Sequence, residues 1–313
     1  MSQEDKQMKL QQLRYFCQVV KHDFNITHAA NALYTSQPGV SKQLKLFEQQ
    51  LGIDVFTRSG QKILGLTEVG DEIFKLSHQI LLSTAQLQQV AQYYSDKESG
   101  QLTVATTHLH ARYSLLPVIE KFSKQYPRVH LALIQSSPDE IDALLVDGKA
   151  DIGISTNVGT EHSELVRLQS KSLYRCLITA KKHPLLKKRK PSLHDIANYP
   201  LIVYDSRLSS GRFVLEAFDQ KGITPNIVLT AVDADVIKAY VGAGLGVAIL
   251  QELAYEPERD IDIEALSAHH LFPPVETNIC LNRAKYLRQF AFDFITLFEP
   301  RWERDAVREA LSR

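Results

Sequence analysis

Between residues 101 and 250 the chain alternates short β-type apolar runs with helical ones, and few folds satisfy that order. Residues 102–105, 129–134 and 150–154 are strand-like. Between them lie two helical segments. One carries Leu115, Leu116, Ile119 and Phe122; the other carries Ile141, Leu144 and Leu145 and is ended by Gly148. A βαβαβ order predicts a parallel sheet covered by helices, because parallel strands need a long crossover. A second series begins near Leu177 and Ile178. It has strands at 201–204, 227–229 and 246–250 and helices at 213–218 and 236–241. Two similar half-domains predict one cleft, with a ligand at the strand ends that face it.

Those strand ends are rich in hydroxyls. The first lobe offers Thr106, Thr107 and His108, then Ser136, Ser137 and Pro138, then Ser155 and Thr156. The second offers Tyr204, Ser206, Ser209, Ser210, Gly211 and Arg212 just before a helix. Hydroxyls beside the N–H groups of a helix start suit a small anion. Ser and Thr also cap helices everywhere, but three strand ends of one sheet favour a ligand. His108 and His110 are spaced for chelation, yet no third ligand follows from spacing, so no metal is expected. No phosphate loop, dinucleotide loop, nucleophile elbow or HExxH pattern occurs. The glycines at 242, 244 and 246 follow a helix, where they end it rather than cradle a phosphate.

Residues 1–66 read as a small helical module. Leu10, Leu13, Cys17 and Val20 mark one stripe of a first helix. Asn25 is placed to cap a short second helix with Ile26, Ala29, Ala30 and Leu33, whose adjacent alanines predict close backbone approach. Tyr34, Thr35 and Ser36 form a turn, and Pro38 sits inside the next helix start, where its missing N–H costs little. That helix has Val40, Leu44, Phe47 and Leu51 on one face and Gln37, Ser41, Lys42, Lys45 and Gln49 on the other. Two short helices and a tight turn predict a helix-turn-helix whose second helix enters a DNA major groove. The alternative is an amphipathic surface helix of a three-helix core. Two β-type runs around Ser59, Gly60 and Gln61 add a wing, with Arg58 and Lys62 expected on the neighbouring backbone. The module carries +3 and the rest −3, against a formal charge of zero for 313 residues with 36 basic and 36 acidic side chains. A wholly basic nucleic-acid binder is thereby excluded; one local basic module is not.

Thr67 with Glu68, Asp71 and Glu72 marks a helix start. Ile73, Leu76, Ile80, Ser83, Leu87, Val90 and Tyr94 then recur three and four apart, a seam expected to pair with a second copy, with Ser83 its flaw. The alternative is a helix packed on its own chain. A two-fold protein suits paired half-sites on DNA. Residues 95–100 are polar and end in Gly, a hinge. The longest apolar run, residues 241–250, falls well short of the about 20 that span a membrane. No apolar segment follows the polar start MSQEDKQMKL, so no secretory signal and no membrane partner are expected. Three scattered cysteines predict reduced thiols and a cytoplasmic setting.

The motif residues carry a resemblance. Ala29 and Ala30, Thr35-Ser36-Gln37-Pro38-Gly39-Val40-Ser41-Lys42-Gln43-Leu44, Glu48 to Gly52, Phe56-Thr57-Arg58 and Leu66-Thr67-Glu68-Val69-Gly70 resemble the signature of LysR-type transcriptional regulators. The likeness extends over essentially the whole chain. Met8 to Tyr15, Thr106-Thr107-His108 with Ala111-Arg112-Tyr113, and Thr230-Ala231 with Asp233 to Lys238 resemble the CysB/Cbl-like branch, regulators of sulfur assimilation and cysteine synthesis. The resemblance implies an α/β protein. It has a winged helix-turn-helix at 1–66, a linker helix at 67–94 and a two-lobed, periplasmic-binding-protein-like effector domain at 101–300. Lobe I is expected at 101–169 and 276–300, lobe II at 170–275, and a C-terminal tail at 301–313.

It implies double-stranded DNA as partner, touched by Thr35, Ser36, Gln37, Pro38, Ser41, Lys42, Lys45, Arg58 and Lys62. It implies a homodimer or homotetramer, allows contact with RNA polymerase, and needs no cofactor beyond a small anionic effector: acetylated serine, sulfate or thiosulfate. Effector contacts are expected among Thr106, Thr107, His108, His110, Ser136, Thr156, Ser210 and Ala234. The chain departs from the branch at Leu109 and His110, where Thr-Gln is usual, and at Leu173 and Tyr174, where Trp-Asn is usual. Leu109 removes a hydroxyl; His110, if protonated, adds charge. Another pathway with a different effector is one alternative. An enzyme on the same fold is a second, drawing its acid or base from Asp233 or His108, and a solute-binding transport protein is a third.

Overall fold

The computed structural model describes residues 8–60, 62–95, 99–156, 162–206 and 208–313. Gln61, the middle of the hinge at 96–98, and the side chains of Tyr94 and Ser209 lie outside the described residues. The chain divides into two compact units at Ser95.

Unit 1 begins with α1 (Leu10–Lys21), α2 (Ile26–Ala32) and α3 (Gln37–Leu51). Asn25 caps α2, its side chain accepting from the N–H groups of Thr27 and His28 at 3.0 and 3.1 Å. Ser36 caps α3, and Gly52 ends it in the left-handed region at φ 72°, where a side chain is strained. The core differs from the expected stripe. Phe16 and Val19 are fully buried while Leu10 is exposed. Phe16 packs between Phe47 and Phe56, tilted against the first and edge-on to the second, at 5.2 and 5.3 Å between ring centres. The larger aromatic payload outweighs Leu10 in setting which face of α1 turns inward. Ala29 and Ala30 are buried against their neighbours, as their small size requires. The wing pairs β1 (Phe56–Ser59) antiparallel with β2 (Lys62–Leu66).

Helix α4 (Glu68–Ser95) follows, its start capped by Thr67, which accepts from the Gly70 N–H at 3.0 Å. Its first turns serve the module's own core: Ile73, Phe74 and Leu81 pack there and Ser77 is buried. The opposite stripe is open, with Leu76 59% and Leu87 70% exposed. The expected seam therefore divides. Ile73 belongs to its own chain, and Leu76, Ile80 and Leu87 face outward.

Unit 2 has two lobes. Lobe I holds β3 (Gly100–Thr106), β4 (Val129–Gln135), β5 (Ile152–Ser155), β6 (Leu165–Leu173) and β12 (Val275–Asn282) in the order β4-β3-β5-β12-β6. Its helices are α5 (Leu116–Gln125), α6 (Pro138–Val146), α10 (Gln289–Phe298) and α11 (Arg304–Ser312). Lobe II holds β7 (Arg175–Ala180), β8 (Leu201–Tyr204), β9 (Ile227–Ala231), β10 (Val247–Gln251) and β11 (Ile263–Ser267) in the order β11-β7-β10-β8-β9. Its helices are α7 (Leu193–Ala197), α8 (Ser209–Asp219) and α9 (Ala234–Gly242).

Each sheet is mixed rather than parallel. Four strands in each share one direction, while β12 is antiparallel to β5 and β6, and β7 is antiparallel to β10 and β11. The chain passes between lobes at Tyr174 and again between β11 and β12, so each lobe borrows a strand running the other way. The lobe I strands reach Leu173 and resume at Val275, a few residues from the expected borders. The expected C-terminal tail is instead α11. Val307 on it is buried in the lobe I core, and Arg304 and Arg308 lie over the Phe292 ring. No helix of the described residues is long and apolar enough to cross a membrane.

Candidate functional site

In unit 1, α3 turns Val40, Leu44 and Phe47 inward and Gln37, Pro38, Lys42 and Lys45 outward. Gln37 donates to the Ser41 hydroxyl at 3.1 Å, and Ser36 accepts from the Gly39 N–H at 3.3 Å. Thr35 is half-buried at the turn; Lys62 is exposed on the wing. Tyr34, which sequence reasoning treated only as part of a turn, is 99% exposed at φ 51°. Arg58 corrects an expectation. Its guanidinium is gripped by both oxygens of Glu48, at 3.1 and 2.7 Å. Glu48 is buried and also accepts the N–H groups of Val55 and Phe56. Arg58 therefore ties the wing to α3, and its charge is answered within the protein rather than left for a phosphate.

In unit 2 the C-terminal strand ends of both lobes line a cleft of about 460 Å³. Thr107, His108 and Leu109 follow β3, Ser136 and Ser137 follow β4, and Thr156 follows β5. Across the gap stand Tyr204, Ser210, Arg212, Asp233 and Ala234. Helix α6 is closed by its own capping box of Ser137 and Glu140. Among the described residues no side chain caps helix α8, so its start can offer N–H groups beside Ser210. Gly211 lets that helix start lie on the end of β8, since a Cβ there would meet the Tyr204 carbonyl oxygen at 2.4 Å.

Two expected contacts lie elsewhere. Thr106 is fully buried, its hydroxyl donating to the Ile154 carbonyl at 2.9 Å, so it knits β3 to β5. Strand alternation turns it to the core and Thr107 to the cleft. His110 is also buried, on a π-helical turn (His110–Ser114), with Nδ1 2.9 Å from the Ser114 hydroxyl and Nε2 without a partner. Burial pushes its imidazole down to about 4, so it is neutral and adds no charge to the cleft. Ala234 lines the cleft with a methyl that is itself buried.

The lobes are joined at the mouth of the cleft. His108 Nε2 stands 2.8 Å from Asp233 Oδ2, and Asp233 caps α9 by accepting the Asp235 N–H at 2.7 Å. Tyr113 donates to Asp235 at 2.5 Å, and Arg112 reaches Asp235 and Glu256, each at 3.4 Å. Burial opposes ionisation of Asp235, but Tyr113, Lys238 and Arg112 outweigh it and hold the carboxyl below its usual range. Burial, then Asp235, pushes the Tyr113 phenol up. His108, Asp233 and Asp235 bring donor atoms within 4.8 Å of one another, a grouping of metal-ligand type that spacing did not suggest. Asp235 already has Lys238 at 3.1 Å and Arg112, so a metal would have to displace two cations.

Behind the cleft lies an alcove of about 120 Å³ that shares Thr156, Ser210 and Arg212 with it and adds Arg175, Phe213 and Gln251. Sequence reasoning missed Arg175 and Gln251. Both sit at strand ends 76 residues apart and are brought together by the β7–β10 pairing.

Known proteins resemble this chain over both units. A family described as "LysR substrate binding domain" matches residues 95–303, and one described as "Bacterial regulatory helix-turn-helix protein, lysR family" matches residues 10–71. The chain is 42% identical over 293 residues to the HTH-type transcriptional regulator SsuR of Burkholderia cenocepacia, covering 94% of this chain and 95% of that one. It is 39% identical to the HTH-type transcriptional regulator CysB of the same organism, covering 97% of each. The solved cofactor-binding domain of the Cbl transcriptional regulator is 35% identical and superposes with a TM-score of 0.63, covering 68% of this chain and 93% of that one.

Proposed function

The chain belongs to the LysR family of transcription regulators, and from that premise we propose that it reads DNA through α3 and couples that reading to a small anion held between its lobes. Gln37 and Ser41 meet base edges, and Lys42, Lys45 and Lys62 meet phosphates. Leu76, Ile80 and Leu87 of α4 pair with a second copy, dimers assemble into tetramers, and the target is an interrupted palindrome. The effector is an anion of sulfur and cysteine metabolism: acetylated serine, sulfate or thiosulfate. Its binding favours one lobe arrangement over another, changes DNA bending and activates sulfur-assimilation and cysteine-synthesis promoters, with RNA polymerase as the downstream partner. The site of action is the cytoplasm. An effector can do this only through unequal affinity for the two arrangements.

The observation that carries the effector reading is the convergence of Thr107, Thr156 and Ser210 on the uncapped start of α8. Thr107→Val is expected to keep DNA binding and lose at least tenfold in affinity for the preferred anion in calorimetry. Unchanged binding of all three anions would remove the cleft from consideration. On the DNA side, Lys42→Ala is expected to weaken specific and random fragments alike and reduce the salt slope by about one. Full-strength binding with the original slope would refute the phosphate role.

A further inference from the structure

The alcove holds a charge that the fold itself does not answer. Arg175 is 3% exposed, and among the described residues no carboxylate pairs with it; its Nη1 has no hydrogen-bond partner. Other inward cations are treated differently. Lys238 is met by Asp235 and Asp260, and Arg167 by Asp142. The Arg175 guanidinium lies 4.3 Å from the Phe213 ring centre and 5.8 Å from that of Phe272. Two aromatic rings offset part of the desolvation and fix the plane of the group. They leave its hydrogen-bonding capacity unused. Burial pushes the guanidinium down to about 10, so it remains charged at neutral pH.

Gln251, opposite Arg175 across the β7–β10 register, is likewise buried with Oε1 unpartnered. Its amide, turned about its last bond, presents Nε2 as a second donor. Thr156 and Ser210 add hydroxyls to the same wall, and Glu216 faces Arg212 at 3.9 Å. The cavity has room for a few water-sized groups, the dimension of a small oxyanion. A buried ion lacking its counter-charge is a costly arrangement, and a planar fork of donors matches an oxyanion in two-point fashion.

We propose that Arg175 and Gln251 form a second oxyanion subsite, behind the α8 start, whose occupant is a sulfate, carboxylate or phosphate-type group supplying the missing counter-charge. Arg175 opens β7 and Val275 opens β12, the strands at which the chain passes between lobes, so the occupant sits on the hinge and its charge bears on the lobe arrangement. This deepens the reading of the cleft as an anion site and rests on it, yet the two separate by experiment.

Inorganic sulfate is titrated by calorimetry into the full chain at constant ionic strength set with chloride. The wild type is expected to take two sulfates per chain, and Arg175→Met and Thr107→Val one each. Thermal unfolding supplies a second readout. Sulfate is expected to raise the Tm of the wild type and of Thr107→Val more than that of Arg175→Met, which without sulfate is at least as stable as the wild type. A single sulfate lost in Thr107→Val and kept in Arg175→Met overturns the subsite and leaves the front of the cleft intact. A single sulfate lost in Arg175→Met and kept in Thr107→Val upholds the subsite and overturns the front. No heat and no Tm shift in the wild type overturns both. If Arg175→Met does not fold, Gln251→Leu serves in its place, with an expected loss of about tenfold at one site; unchanged affinity and stoichiometry there overturn the subsite.

Discussion

Both units bury a charge, and they treat it in opposite ways. Glu48 in unit 1 is closed: two backbone N–H groups and a two-pronged guanidinium account for its oxygens. Arg175 in unit 2 is open: it is cushioned by rings, its Nη1 has no hydrogen-bond partner, and among the described residues no carboxylate pairs with it. A closed ion belongs to the architecture, because removing it orphans the groups that were built to meet it. An open ion contributes less to the architecture, because no described polar group was built to meet it and only the two rings pack on it. Burial alone does not reveal which role a charge has; its list of partners does.

The largest effect should come from breaking the closed charge. Glu48→Gln is expected to destabilise unit 1 by about 2–4 kcal/mol, toward the lower figure because Arg58 is part-exposed and turns to water. DNA affinity should fall with it, since the wing loses its anchor to α3. Urea denaturation of the full chain against Arg175→Met in sulfate-free buffer tests the contrast; equal losses for the two variants would erase it.

Next in size is His110, a third buried titratable group, held neutral. Its pKa falls from 6.5 to about 4 on folding. The unfolded chain then binds more protons between those values, so stability rises with pH across that window. The contribution is complete above about pH 6.5 and is lost as pH falls toward 4. His110→Gln is expected to flatten the stability profile between pH 4 and 6.5. A profile of unchanged slope would assign the acid sensitivity to other groups. The smallest effect belongs to the half-exposed pair at the cleft mouth. His108→Gln is expected to cost about 0.5 kcal/mol of unit 2 stability, and a loss above 2 kcal/mol would show that this latch is closed in the sense that Glu48 is.

Legibility followed the range of the interactions. Asn25, Ser36, Thr67 and Ser137 announced helix starts within three residues of the N–H groups they cap. Strand β8 lies where its apolar run placed it. Phe16 was missed because its reason for burial, Phe47 and Phe56, lies far along the chain. Arg58 read as a surface cation because the carboxylate that claims it sits on another element. Thr106 and Thr107 are chemically alike, and only the pleat decides that one knits two strands while the other faces the cleft.

The sequence by itself determined the helix-turn-helix and its caps, the strand–helix alternation and the hydroxyl-rich strand ends, since each is encoded in contacts a few residues long. Tertiary structure alone decided the antiparallel strands that cross between lobes, the helix at residues 304–312 packed on lobe I, and the meeting of Arg175 with Gln251 and Thr156. The reason is physical: a strand edge or a buried charge takes its meaning from whichever partner the fold delivers, and that partner stands dozens of residues away.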